Sequence, residues 1–141
     1  YTATNIYASI CVAAFSGTAA SSVYDGVENG ASSAGATSLA AGSVTPSAAD
    51  HLIIYGTAAG GTWGMTPTIT VVDTGGITNT VDYVSGDSYS VAMAYGIQSG
   101  GPTARNPAWG WASFRSCQAV AGVFKVAAAG GGNPWYHNAQ Q

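Results

Sequence analysis

Between residues 87 and 97 large and small side chains alternate without a break: Tyr89, Val91, Met93, Tyr95 and Ile97 on one parity, Ser88, Ser90, Ala92, Ala94 and Gly96 on the other. An extended strand, whose side chains point alternately to opposite faces, sorts such a pattern into one large and one small face. A face of Ala, Ser and Gly leaves room for close approach of a second layer or a neighbouring subunit, where a solvent-facing one more commonly carries Lys, Glu or Thr. Helix signals are scarce by contrast. The 20 glycines and the β-branched residues interrupt every amphipathic stretch, and no capping box precedes an apolar run of helical period.

Seven further segments read as strands: residues 6–15, 37–44, 51–57, 68–72, 77–84, 109–115 and 118–126. Turn chemistry separates them, at Ser16-Gly17, Asp25-Gly26, Asn29-Gly30, Thr45-Pro46-Ser47, Gly60-Gly61, Asp73-Thr74-Gly75-Gly76, Ser85-Gly86-Asp87 and Ser99-Gly100-Gly101-Pro102. Short strands so spaced predict an all-β antiparallel sandwich or barrel over residues 1–126. Residues 6–15 (IYASICVAAF) and 51–55 (HLIIY) are apolar on both parities, as strands between two packed layers must be. Residues 16–36 and 98–108 carry no pattern and read as long loops, the first candidates for contact surface.

Only 9 of 141 residues are charged, 6%, against roughly 25% in an ordinary soluble domain. Charge keeps a domain solvated and apart from its neighbours, so a chain with so little of it and 11% aromatic residues is expected to pack against copies of itself or other subunits. Three basic residues, Arg105, Arg115 and Lys125, and a net charge of −3 give no footprint for nucleic acid. No apolar run reaches the ~20 residues of a membrane-spanning helix. The chain opens on Tyr1 with a strand pattern almost at once, and we expect an upstream portion to have been removed or left out. At the other end, residues 127–141 read as an Ala/Gly linker bearing an aromatic tail, Asn133-Pro134-Trp135-Tyr136-His137, that reaches a neighbouring subunit.

The segments VAAFSGTAASSVYDGVENG (12–30), TSLAAGSVTPSAADHLIIYG (37–56) and WGWASFRSCQAVAGVFK (109–125) together resemble the C-terminal half of a β-sandwich domain of phage virion and bacterial exported proteins. The shared pattern is a strand ending AFSG, a polar loop with an acidic residue, a GS-V-T-P strand, an L-I-I strand and a closing aromatic strand. The resemblance implies a jelly-roll-like sandwich whose N-terminal half supplies more strands. It also implies a setting on phage tail, fibre or capsid-decorating proteins. It implies no catalytic or ligand residue.

Catalytic chemistry is poorly supplied. His51 and His137 are the only histidines, no Gly-x-Ser-x-Gly elbow occurs, and Asp50 beside His51 reads as turn chemistry before a strand. Asp25 with Glu28, or Asp73 with Asp82 and Asp87, could in principle form a hydrolytic carboxylate pair or a Ca²⁺ site, but acids at Asp-Gly and Gly-Asp steps are turn formers first. We therefore expect no enzyme, no metal and no cofactor. Trp109 and Trp111 share a parity; they are core or subunit interface, with Trp135 and Tyr136 as further interface candidates. As the alternative, Trp63, Trp109 and Trp111 could stack on surface glycans in a lectin-like adhesion module. Cys11 and Cys117 form one disulfide or serve separately as small core residues. The expected role is a non-enzymatic structural protein, on a virion surface as decoration, fibre or tail subunit, or in an extracellular filament.

Overall fold

The computed structural model describes residues 12–60, 68–70, 80–85, 89–127 and 137–138. They form β1 (Ala14–Phe15), β2 (Tyr24–Ala40), β3 (Leu52–Gly60), β4 (Thr68–Thr70), β5 (Thr80–Ser85), β6 (Tyr89–Ile97), β7 (Ala108–Phe124) and β8 (His137–Asn138), with no helix among the described residues. The main sheet has the order β2-β7-β3-β6-β5, with β4 also on β7, and every pairing is antiparallel. β7 is its spine. β2 follows one side of β7 along its whole length, while the other side takes β4 at Ala108–Gly110 and β3 at Ser116–Phe124.

The all-β antiparallel expectation holds. Beside the short β1–β8 pair, the described strands form one antiparallel curled sheet, a half-barrel. Three local expectations change. Residues 16–36 are not one long loop, because β2 begins at Tyr24 and runs on through the first half of the expected 37–44 strand, to Ala40. Asp25-Gly26 is a bulge instead of a turn: Gly26 adopts φ +77°, open to glycine at no steric cost, and the register against β7 slips between Tyr24 and Glu28. The expected strands 109–115 and 118–126 are one strand, since Ser116 and Cys117 stay in register with Gly60 and Ala59 of β3. Two more slips, between Ser33 and Ala36 and between Ala36 and Ser38, fall where the β2–β7 ribbon changes register most, and bulges of this kind bend and twist a strand pair.

The inner face of the sheet carries Ile53, Tyr55, Thr57 and Ala59 of β3, register-matched to Ala92 and Ala94 of β6 and to Cys117, Ala119, Ala121 and Val123 of β7. These residues are all buried, and the apolar ones join Trp109, Trp111, Ala41 and Val44 in one cluster. The small alternate residues of β6 thus face the core, as a close second layer requires, and the space they leave goes to large side chains from the bent end of the ribbon. An enclosed indole removes roughly 200 Å² from water, about 5 kcal/mol gross at ~25 cal/mol/Å².

Of the expected loop 98–108, residues 98–107 lie outside the strands and are held by their own domain, while Ala108 opens β7. Val44 and Arg105 exchange backbone hydrogen bonds of 2.8 Å each, and the buried Gln98 side chain accepts from Arg105 Nε at 3.1 Å while its amide donates to the Gly101 carbonyl. The C-terminal segment also returns to its own domain. Ala127 N–H donates to the Gly17 carbonyl at 2.8 Å, and His137–Asn138 pair with Ala14–Phe15. The tail, expected to reach a neighbour, is at these two residues a strand partner of β1.

Candidate functional site

The outer face of the same sheet is different. In register across β7, β3 and β6 lie Phe124, Leu52 and Ile97, then Gly122, Ile54 and Tyr95, then Val120, Gly56 and Met93, then Gln118, Ala58 and Val91. In the first row Leu52 is buried between half-buried Phe124 and Ile97, and beside it the Phe15 ring meets Tyr95 edge-on at 5.1 Å between centroids. From Phe124 onward the face is open. Ile54, Gly56, Val91, Met93, Val120 and Phe124 line a shallow groove of about 680 Å³.

Glycines give this groove its relief. Val120 stands between Gly30 of β2 and Gly56 of β3, its register partners to either side. A Cβ built on Gly30 would lie 3.5 Å from one Val120 methyl, and one on Gly56 would lie 3.2 Å from the other. The valine, 57% exposed, therefore spreads its methyls over the backbone of both neighbouring glycines, where a β-carbon would crowd it. Tyr24 and Glu28 form the rim on the β2 side. The Tyr24 phenol is pushed above its ordinary pKa by partial desolvation, and further by its hydrogen bond to Glu28 and the charges of Glu28 and Asp25.

A polar cluster lies at the start of β2 and β3. The enclosed Asp25 carboxylate accepts from Ser47 N–H at 2.7 Å and from Ser47 Oγ at 2.6 Å; His51 Nδ1 lies 3.2 Å and Lys125 Nζ 3.9 Å from its oxygens. Burial by itself pushes this carboxyl up, but the two Ser47 hydrogen bonds, the His51 charge and the His51 hydrogen bond outweigh it and leave the pKa below the ordinary carboxylate value. Serine, histidine and aspartate are adjacent here without the order a nucleophile needs. The Ser47 hydroxyl donates to Asp25, whereas in a catalytic triad the histidine receives the serine proton. Asp25 instead clamps the 47 turn, the start of β3 and the end of β7 to the bulge in β2. Its oxygens are engaged inside the fold, while Glu28 stands at the groove rim.

The other expected site residues divide sharply. Trp109 and Trp111 are 1% and 6% exposed, and Trp111 Nε1 donates to the Ala36 carbonyl at 2.7 Å, so their rings are core and offer no platform to a glycan or a subunit. Cys117 is a buried free thiol; burial pushes its pKa up and a backbone hydrogen bond from Ser33 opposes that in part. Trp63, Trp135, Tyr136 and Cys11 lie outside the described residues. Among the described residues no group of three or more His, Cys, Asp or Glu is placed to hold a metal. The outer groove itself escaped the sequence, although its signal was present in the parity of Gln118, Val120, Gly122 and Phe124 against Cys117, Ala119, Ala121 and Val123. No protein family, curated protein or solved structure matches the chain.

Proposed function

We propose that the chain is a non-enzymatic structural subunit of an extracellular particle: a surface protein of a phage virion, as capsid decoration, fibre or tail subunit, or a subunit of a self-assembling filament. The observation that carries this reading is the open apolar groove on a sheet whose other face is buried across β3, β6 and β7. Exposed apolar surface of this kind is costly for an isolated domain and useful to one that works in contact with others. The scarcity of charge points the same way, and so does the resemblance of residues 12–30, 37–56 and 109–125 to virion and exported β-sandwich domains. On this reading the jelly-roll-like sandwich belongs to a longer or assembled form, with further layers supplied beyond the described half-barrel. The test is to raise antibodies against the purified chain and label intact particles from the source. Regular surface labelling, with the chain present at a fixed copy number per particle, is expected. Recovery solely as a free protein, with particles unlabelled, overturns the proposal.

A further inference from the structure

Of the six asparagines in the chain, one, Asn29, is followed by glycine. The following residue decides how durable an asparagine is. A side-chain carboxamide is lost when the backbone nitrogen of the next residue attacks its carbonyl carbon, and glycine, with no Cβ, puts least in the way of that attack. Asn106 and Asn133 precede proline, whose nitrogen has no proton to give up, and Asn5, Asn79 and Asn138 precede Ile, Thr and Ala.

The fold brings the reacting groups of Asn29 and Gly30 together. β2 is an edge strand, paired among the described residues with β7 alone, and its register is regained at Glu28, just after the bulge. Successive residues of such a strand turn their backbone groups alternately toward the partner and away from it. The Gly30 N–H donates to Asn29 Oδ1 at 2.9 Å, so the nitrogen lies against the carboxamide it would attack, and both residues are exposed to water. Closing the ring takes the Asn29 backbone out of its extended form, and local openings of this kind cost least where a strand is held on one side only and next to an irregularity. The other end of the carboxamide has a structural task. Asn29 Nδ2 donates to the Ser43 carbonyl at 3.2 Å, and the side chain fills the place where a Cβ on Gly42 would fall. It thereby ties the return of the chain at residues 42–43 to β2, beside Val44 with its backbone bonds to Arg105.

We propose that Asn29 is a self-modification site, at which the chain converts its own carboxamide to a carboxylate and releases residues 42–43 from β2. This goes beyond the assembly reading and does not rest on it. The Gly30 nitrogen gives up its proton and bonds to Asn29 Cγ; the Cγ–Nδ2 bond breaks, and Nδ2 leaves as ammonia with that proton. Solvent water then opens the five-membered imide at one carbonyl or the other, giving aspartate or, where the main chain now runs through Cγ, isoaspartate. Either product carries one negative charge more than the starting net of −3. Its carboxylate has no proton to donate, so it meets the Ser43 carbonyl as one acceptor meets another.

The test holds the full chain at mildly alkaline pH and physiological temperature and maps its peptides over time by mass spectrometry, with isoaspartate read by enzymatic methylation. Asn29 is expected to gain the mass of an amide-to-acid exchange before any other asparagine. Gly30→Ala should slow this at least tenfold with circular dichroism unchanged, because a methyl there meets the Ala119 carbonyl at 3.4 Å and a Val120 methyl at 3.5 Å, ordinary contact. Asn29→Asp, which builds the first product directly, should keep the sheet but hasten hydrogen exchange at the Val44 amide, now bonded to the Arg105 carbonyl at 2.8 Å. An Asn29 that stays intact while Asn79 or Asn138 converts, or equal rates in wild type and Gly30→Ala, overturns the site. Conversion confined to chain unfolded in urea overturns it too, since the fold would then protect Asn29. Unchanged exchange at Val44 in Asn29→Asp overturns the release of residues 42–43. Particle labelling decides the assembly reading separately.

Discussion

The two faces of β3 are built from alternate residues of one nine-residue strand and have opposite characters. Its inner residues, Ile53, Tyr55, Thr57 and Ala59, are all buried; its outer residues pass from the buried Leu52 through half-buried Ile54 and Gly56 to exposed Ala58. Hydrophobicity hardly separates them. What separates them is what lies opposite: indoles and the bent end of the β2–β7 ribbon on the inside, and on the outside a covering that ends near Tyr95. Stability is thus concentrated on one face, and the other is available for contact.

The strongest way to break this contrast is to empty the inner face. Trp109→Ala should cost about 3–5 kcal/mol, the range for enclosed aromatic truncations, and chemical denaturation should show it as a large drop in midpoint. Next comes the clamp. Asp25→Asn keeps the shape but turns one acceptor into a donor facing Ser47 or His51, for a loss of roughly 1–3 kcal/mol at neutral pH. Because the folded pKa of Asp25 lies below 3.8, its ionised form favours the folded state. That stabilisation is complete above the unfolded value and disappears as the pH falls through the lower folded value. Acid melts of Asp25→Asn should therefore be flatter than wild type below about pH 4. A shape test follows, since Ala94→Leu adds volume where the core has none to give and should destabilise by about 1–3 kcal/mol in the same denaturation assay. The smallest effect is the sharpest control. Val120→Ala on the outer face should change monomer stability by no more than about 0.5 kcal/mol, and a loss as large as that of Ala94→Leu would mean that the outer face is core as well.

Much of the sheet was legible because period two survives in a single sequence. β3 and β6 fall close to their expected bounds, and the shared parity of Trp109 and Trp111 is real. β2 was hidden because Asp25-Gly26 and Asn29-Gly30 have turn chemistry, yet a 17-residue partner holds one as a bulge and the other as regular strand. The parity pattern of β6 showed two unlike faces without saying which was inside, since small residues suit either a tight core or a close neighbour. The Asp25 clamp was invisible for another reason. Ser47 and His51 lie 22 and 26 residues from Asp25, and the bend of the chain that brings them together has no local signature.

The position of β7 also governs how the molecule can come into being. β7 pairs on both sides with strands that all precede it in the chain: Tyr24 must find Phe124 and Ala40 must find Ala108. Pairings so distant along the chain pay their loop-closure entropy before any contact rewards it, which places folding on the millisecond-to-second scale of non-local β topologies. Among the described strands, β3, β6 and β5 can pair before β7 is made, but Ile53 and Tyr55 then lack β7 at their side. Until β7 joins, these two residues lack the neighbours that bury them, and that interval is where pairing with the wrong molecule is expected.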